Sequence, residues 1–549
     1  MRIWRLAALM ALGMSAAAAA QTQPLLQLQG QPYFGGSMTL HLTGTVGQPA
    51  LLAYGLNPLP LDQPVQTGKG EWYIGSLFNL VPLGNIPSGG RIDLPFTMPP
   101  SMPALAGIPI AMQGYVPIAL SNPADLPLDT PYYVPENAAL LQSPNPTEIG
   151  LFGDRVATGD LNGDGNTDIV VGAWFEDAAG LDHSGRAYVF WGPSMSTATT
   201  LEAPTPKYFG LFGQGLAVGD LNGDRIDDLV IGEGNGEPPP PTEPGHLHIY
   251  HGGMNFVSSP TSTVTSAGVG NAYQGFGHQM IMADFDGDSH PDVAVGVPFA
   301  VVQGLANAGR VEVYRGPTLL TSQMVNAPDP SVSGFLGDYL ATGDVDGDNI
   351  EDLIVGAPRK KLGGLIAMGR VYLFSGSNLD SFKVIEHPLP SGENSRFGNA
   401  VAGADLNGDG ITEIIATDQR NHAFIFWSPV FDNYQLITRP PDPISGTATS
   451  VSFGYFATCG DVNGDTLIDV VVGDPYAGGK GRAYIALAPY FSSLHVVTDQ
   501  SPENLAEFGW GVLLRDVDGD GRAELLVGSD TADPFGVASS GRVTVFDIN

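Results

Sequence analysis

From about residue 135 onward the chain alternates short apolar runs with polar turns. Seven runs are almost wholly apolar for four or five residues: IVVGA (169–173), LVIGE (229–233), VAVGV (293–297), LIVGA (353–357), IIATD (414–418), VVVGD (470–474) and LLVGS (525–529). They are too short for helices and rich in β-branched residues, so each predicts a buried strand. A second strand follows each one: RAYVF (186–190), HLHIY (246–250), RVEVY (310–314), RVYLF (370–374), HAFIF (422–426), RAYIA (482–486) and RVTVF (542–546). Ahead of each pair stands Phe-Gly or a near match, at Phe152, Phe212, Phe276, Phe335, Phe397, Phe453 and Phe508. Self-similarity at a period of 55 to 64 residues predicts a repeat architecture of four-stranded units, the fourth strand being the variable one.

The turn that feeds each buried run carries the chemistry. Numbered from its first acidic residue, position 1 is Asp160, Asp220, Asp284, Asp344, Asp405, Asp461 and Asp516. Position 3 is Asn162, Asn222, Asp286, Asp346, Asn407, Asn463 and Asp518. Position 5 is Asp164, Asp224, Asp288, Asp348, Asp409, Asp465 and Asp520, and position 9 is Asp168, Asp228, Asp292, Asp352, Glu413, Asp469 and Glu524. Position 4 is Gly throughout, and position 7 varies freely, as suits a residue offering only its carbonyl. Closely spaced oxygens are what a hard cation needs, and the high ligand number favours Ca²⁺ over Mg²⁺. An EF-hand would place Gly at position 6, Glu at position 12 and helices on both sides, whereas strands flank these loops. A lone acidic turn of this kind is often only a turn; seven copies predict up to seven Ca²⁺ sites.

Phe-Gly, the acidic loop and the Gly-Ala-Pro-like segment after it together resemble the FG-GAP repeat of the integrin α-subunit β-propeller, from about 135 to 549. The resemblance implies an all-β chain with a seven-bladed β-propeller at 135–549, Ca²⁺ loops on its lower face and partner-binding loops between the second and third strands on its upper face. The seventh copy ends after its third strand, so Ala138–Gln142 is expected to supply its fourth and close the ring, removing open edges. The fifth copy lacks the Gly-Ala-Pro segment and the Gly at 421, and is expected to be the least regular. Trp174, Phe175, Phe299, Arg359, Lys360, Lys361, Tyr476 and Phe535 fall in the upper-face loops as candidate partner contacts, because exposed aromatic and basic residues dominate interfaces. The alternatives are that Trp174 packs beneath the loops and that 359–361 is a solvated charge run.

Residues 21–130 lack the repeat. Alternation at Met38, Leu40 and Leu42, and again at Ile92, Leu94 and Phe96, predicts a small Gly/Pro-rich β-sandwich-like domain, with His41 facing outward. Met1–Ala20 reads as a cleaved secretory signal, with Arg2 and Arg5 before an apolar run and Ala18-Ala19-Ala20 at its end. No later run reaches the length of a membrane span, so a secreted, periplasmic or extracellular protein is expected. Net charge is −34, and the loops supply 24 of the 57 acidic residues, so much of the acidity is candidate metal ligand and nucleic acid is an unsuitable partner. The single Cys459 excludes an internal disulfide and is expected to be a buried strand thiol.

Catalytic signatures are missing from the sequence: no GxSxG elbow, HExxH, cysteine pair or P-loop. His246 and His248 share a strand face and, with His251 nearby, could bind a transition metal, but other copies carry Arg and a Tyr or Glu at the first two positions, which argues against a metal. Arg186, Arg310, Arg370, Arg482 and Arg542 recur at the head of the third strand, which predicts structural salt links. The function expected is non-enzymatic binding or adhesion toward a protein or glycan. A glycan-acting hydrolase or lyase working in the central cavity, or a purely structural surface component, are the alternatives.

Overall fold

The computed structural model describes separate strands before residue 138, and residues 138–547 except 235–243, 268–273, 390–392, 441–451, 493, 500–505 and 535–536. The chain divides into two compact units, 1–127 and 128–549. The first is all-β. Strands 25–30, 37–43 and 91–97 form one antiparallel sheet, strand 49–56 lies between 78–85 and 110–115 in a second, and 64–67 pairs with 70–73. The expected signal segment, the side chain of His41 and Phe535 lie outside the described residues.

The second unit is a seven-bladed β-propeller with almost no helix. Each blade is a four-stranded antiparallel meander. Blade one runs 155–159, 168–173, 186–190 and 198–201, and the next five follow in chain order. Blade seven takes 512–515, 524–529 and 542–546 from the end of the chain, and its outermost strand from Ala138–Gln142. That strand pairs antiparallel with the third, from Ala138 opposite Phe546 to Gln142 opposite Arg542, so the ring closes as expected. Blade six gains a fifth strand, Tyr132–Tyr133, parallel to Leu494–Val497, which the sequence did not signal.

The continuously apolar runs are explained by position. The second strand of each blade is buried along its whole length, because both of its faces meet neighbouring blades. The core is therefore seven clusters, one at each seam, such as Ile169, Val171, Tyr188, Leu526 and Val543 between blades one and seven. The Phe of Phe-Gly is the wedge in the seam: Phe152, Phe212, Phe397, Phe453 and Phe508 are fully buried. The Gly after it has positive φ in every blade, from 76° to 98°, a conformation with no steric penalty only for Gly. Its carbonyl presses on the neighbouring second strand, where a Cβ on Gly172 would sit 2.3 Å from the Gly213 oxygen. That contact is why the apolar runs end in Gly.

Blade five is the test of this packing. Thr417 replaces the second-strand Gly, and its hydroxyl donates to the Gly454 carbonyl at 2.6 Å, turning a clash into a hydrogen bond. Asn421 replaces the Gly before the third strand and holds φ of 73°, which Asn tolerates best among non-Gly residues. In five seams that Gly forms a parallel bridge to the next blade's Phe-Gly segment, as Gly185 does with Phe212; among the described residues Asn421 forms none with Phe453. The sheet of blade five is thus as regular as its neighbours, contrary to expectation, and the departure is confined to its seam. The third-strand arginines do form salt links. Arg186 meets Glu202 at 2.7 Å and Glu176 at 3.5 Å, Arg310 meets Glu312 at 2.6 Å, and Arg370 meets Asp329 at 2.8 Å. Cys459 lies in the first strand of blade six beside Asp469, and burial pushes its thiol up to about 12, so it is unreactive at neutral pH.

Two outcomes follow from the seams. Leu141 is 3% exposed in the closing strand and its neighbour Leu140 is 51% exposed. Leu141→Ala should destabilise the propeller by about 2–4 kcal/mol in urea unfolding, and Leu140→Ala by about 0.5 kcal/mol or less; equal effects would show that the ring is not closed by this strand. Glu176 is buried against Ser143 and Tyr188, and burial raises its pKa to about 7. The folded state therefore holds a proton that the unfolded chain releases above about 4.5, so its stability falls as pH rises from 4.5 through 7. Glu176→Gln removes this dependence. Its advantage over wild type should grow across that window to on the order of 2–3 kcal/mol, read as the difference between paired urea melts.

Candidate functional site

In an antiparallel meander the first and third turns share one end and the second turn lies at the other. The acidic loops occupy the first turn, so all seven lie on one face of the disc. Their conformation is set by backbone geometry. Gly at position 4 has φ between 71° and 83° in all seven loops. Position 6 is left-handed as well, at Gly165, Arg225, Ser289, Asn349, Gly410, Thr466 and Gly521. Two successive reversals pack the loop around its first carboxylate. Asp160 Oδ1 accepts from the Gly163 and Asp164 amides at 2.8 and 3.1 Å, and Oδ2 from Gly165 at 2.8 Å. Position 5 is fixed in turn, with Asp164 Oδ1 accepting from the Asn166 amide at 2.8 Å. A β-branched residue such as Thr466 at φ 69° is strained by on the order of 1–2 kcal/mol, and the tight turn holds it there.

Position 9 plays a different part from positions 1, 3 and 5. The first three are partly or fully exposed, whereas Asp168, Asp228, Asp292, Asp352, Glu413, Asp469 and Glu524 are buried. In blade one its two oxygens tie the loop to the blade: Asp168 Oδ2 accepts from Leu161 at 3.0 Å, and Oδ1 accepts at 2.8 Å from Gly192, which opens the turn to the fourth strand. Burial raises these carboxylates, Asp168, Asp352 and Asp469 to about 6 and Glu524 to about 7, and the acidic neighbours add repulsion. Oxygens of Asp284, Asp286 and Asp288 converge within 4.8 Å, as do those of Asp344, Asp346 and Asp348, and those of Asp516, Asp518 and Glu524. The donor set is all oxygen, carboxylate-rich and open to solvent at positions 3 and 5, which fits a hard divalent cation. Loop three differs. Arg315 reaches Asp292 at 2.5 Å and Asp286 at 3.6 Å, so an internal guanidinium competes for its carboxylates.

On the opposite face the structure redistributes the candidate residues. Lys361 is exposed and Tyr476 is 43% exposed. Arg359 is exposed with its guanidinium 4.6 Å over Phe335. Lys360 is a correction: it is 4% exposed and paired with Asp329 at 3.1 Å, so 359–361 is not a continuous basic surface. Phe175 is half-buried against His183 and Phe209, and Phe299 packs edge-on to Phe335. Trp174 is half-buried and gives its indole N–H to Asp154 at 2.6 Å, so it packs as a wall of the axis. The histidines of blade two do not converge on a metal: His248 is buried and bonded to Glu233 at 2.7 Å.

Asp154 belongs to a set that the sequence reading passed over, the one or two residues after each Phe-Gly. They are Asp154 and Arg155, Gln214, His278 and Gln279, Asp338 and Tyr339, Asn399, Tyr455 and Phe456, and Trp510. They head the innermost strands and meet around the axis. Arg155 of blade one donates to the Gln214 and His278 carbonyls at 3.1 and 3.4 Å and lies 5.8 Å over Phe456 of blade six. Tyr339 and Phe456, from blades four and six, stand 6.1 Å apart. Burial and Arg155 drive His278 down to about 3, so it is neutral, while burial lifts Asp338 to about 6 despite Arg359, Arg155 and Arg396 around it. The signal was available: these positions differ from copy to copy beside a motif that does not.

Comparison with known proteins agrees with the geometry. The FG-GAP repeat family matches residues 152–190, 212–250, 276–314 and 508–546, and an FG-GAP-like repeat matches 344–416. Human phosphatidylinositol-glycan-specific phospholipase D is 31% identical over 265 residues, 43% of this chain and 31% of that protein. Integrin alpha-PS2 of Drosophila melanogaster is 31% identical over 231 residues, 39% of this chain and 16% of that one. Human integrin alpha-IIb is 29% identical over 235 residues, 40% and 21% of the two chains. The chain spans less than a third of the length of each of these relatives. No helix among the described residues is long and apolar enough to cross a membrane. These family matches, the seven-bladed ring, the repeated Phe-Gly wedge and these relatives together make the C-terminal unit an integrin-α-like FG-GAP repeat β-propeller.

Proposed function

We propose that this protein is an exported, calcium-stabilised binding or adhesion module whose upper face engages a protein or glycan. The observation that carries the reading is an asymmetry between the two faces. One face repeats the same oxygen-rich loop seven times, while the other is built from side chains that differ in every blade. A repeated feature serves the scaffold, and variable residues on a rigid scaffold are where recognition resides. The metal ligands are positions 1, 3, 5 and 9 of each loop, with loop three weakened by Arg315. Extracellular Ca²⁺ modules bind with Kd of roughly 10⁻⁴–10⁻³ M. At about 1 mM Ca²⁺ this gives some 0.4–1.4 kcal/mol per site, on the order of 3–10 kcal/mol for seven independent sites.

A hydrolytic reading has one observation in its favour. Asp154, Glu507 and Asp530 are carboxylates at the axial mouth that no loop claims, and a phospholipase is among the relatives. Against it, both Asp154 oxygens are held by the Trp174 and Trp510 indoles and Oδ1 also by Arg155, which suits a fixed structural anion better than an acid or base.

Thermal melts of the mature protein in EDTA, Ca²⁺ and Mg²⁺ test the metal reading. A Ca²⁺-specific rise in Tm of several degrees in millimolar metal is expected; identical melts in all three would leave the acidic turns as turns only. Arg315→Gln should lower the Tm in EDTA and enlarge the Ca²⁺-dependent increment by roughly 2 °C, since freeing loop three adds a site. An unchanged increment would mean that Arg315 does not compete with the ion.

A further inference from the structure

The side chains around the upper axial mouth are sorted by charge. On the side of blades one, six and seven stand Asp154, Glu507 and Asp530, each within electrostatic reach of the others. Arg155 beside them is paired with Asp154 at 2.9 Å. Asp530 is 4% exposed, and its Oδ1 has no hydrogen-bond partner among the described residues. A buried carboxylate oxygen without a partner is costly unless a proton or a cation completes it. Around it the rings of Tyr455, Tyr476 and Trp510 pack at 5.4 to 6.1 Å from one another, and aromatic faces favour organic cations.

The side of blades three to five has the reverse excess. Arg359 and Arg396 both act on Asp338, and the Nε of Arg396 is buried without a partner among the described residues. Arg359 is exposed at the rim. Guanidinium groups with spare donors receive carboxylate or phosphate. The two poles are joined across the axis by Tyr339, Phe456 and Trp510, with ring separations of 6.1 and 6.3 Å.

We propose that the upper axial mouth binds a compact zwitterion, its ammonium against Asp530 and Glu507 among Tyr455, Tyr476 and Trp510, and its carboxylate or phosphate against Arg359 and Arg396. This rests on the reading of the upper face as a binding face and names the chemistry it selects. A peptide-derived zwitterion and a phosphorylated amine share that chemistry.

The test is calorimetric titration of the full chain in millimolar Ca²⁺. Glycylglycine and phosphoethanolamine are the zwitterions, and N-acetyl-glycylglycine, glycylglycine amide, ethanolamine and inorganic phosphate are the single-charge controls. At least one zwitterion should bind ten times or more tightly than its single-charge counterparts, and which one does identifies the source. Asp530→Asn should weaken the zwitterion at least tenfold with little effect on the anion-only control, and Arg396→Gln should weaken the zwitterion and the anion-only control. Tyr476→Ala, at an exposed ring, gives a third reading if either buried variant fails to fold, and should weaken the zwitterion severalfold. Equal binding of singly and doubly charged compounds, wild-type binding by all three variants, or no binding of any compound would overturn the proposal. If zwitterions fail while a protein or glycan is still captured and Lys361→Glu abolishes the capture, the pocket falls and the binding-module reading stands.

Discussion

Everything in the propeller depends on the seam between blades. A four-stranded meander of this size cannot bury its second strand alone; both faces of that strand must be covered by neighbours. Each of the seven apolar clusters therefore belongs to two blades, and the one between blades seven and one is complete only when the ring closes. The five residues at 138–142, 400 or more positions upstream of their partner strand in sequence, supply Leu141 to that seam and so close the ring. The seam also explains why the wedge is Phe followed by Gly. The ring must fill the seam while the next backbone approaches closely enough to leave no space for a Cβ on the facing strand.

The acidic loops hang on the same framework. Their exposed oxygens are ordered without any rigid secondary structure of their own, because two left-handed residues and a ladder of amide-to-carboxylate bonds fix them locally. The position 9 carboxylate then ties the loop to the turn into the fourth strand. Packing thus places the loops, and the loops concentrate like charge that packing alone cannot tolerate. A divalent cation bound at this point, as proposed, would relieve the repulsion and tie the exposed oxygens to the buried position 9 carboxylate.

Most of this architecture was legible in the sequence because repetition multiplies weak signals. One acidic Dx(N/D)GD turn before one β-branched run is ambiguous; seven in register specify strand order, loop position and the missing fourth strand of the last blade. The places where the sequence misled are those where a single copy had to be judged alone. Blade five looked damaged because it had lost two glycines, yet Thr417 supplies a hydroxyl where others leave space, and Asn421 tolerates the required backbone angle. Lys360 looked exposed because it sits in a basic run, but the adjacent Asp329 draws it inward beside Arg370. The parallel strand at 132–133 carries no sequence signal, since two tyrosines pair through backbone groups that any residue has.

The axial residues were missed for the opposite reason. Searching for repeats directs attention to what recurs, whereas chemistry directed at a ligand must break the symmetry of the ring. A seven-fold arrangement of identical side chains around the axis would present one charge and one shape from every direction. Here Asp154, Gln214, His278, Asp338, Asn399, Tyr455 and Trp510 follow the same motif and, apart from the two aspartates, differ in kind. The fold holds them on one end of the ring through near-identical Phe-Gly wedges, so their differences translate into a polarised mouth, acidic on one side and basic on the other. In a repeat protein, therefore, the constant positions are those that build the ring, and the variable positions beside them are where it can distinguish one ligand from another.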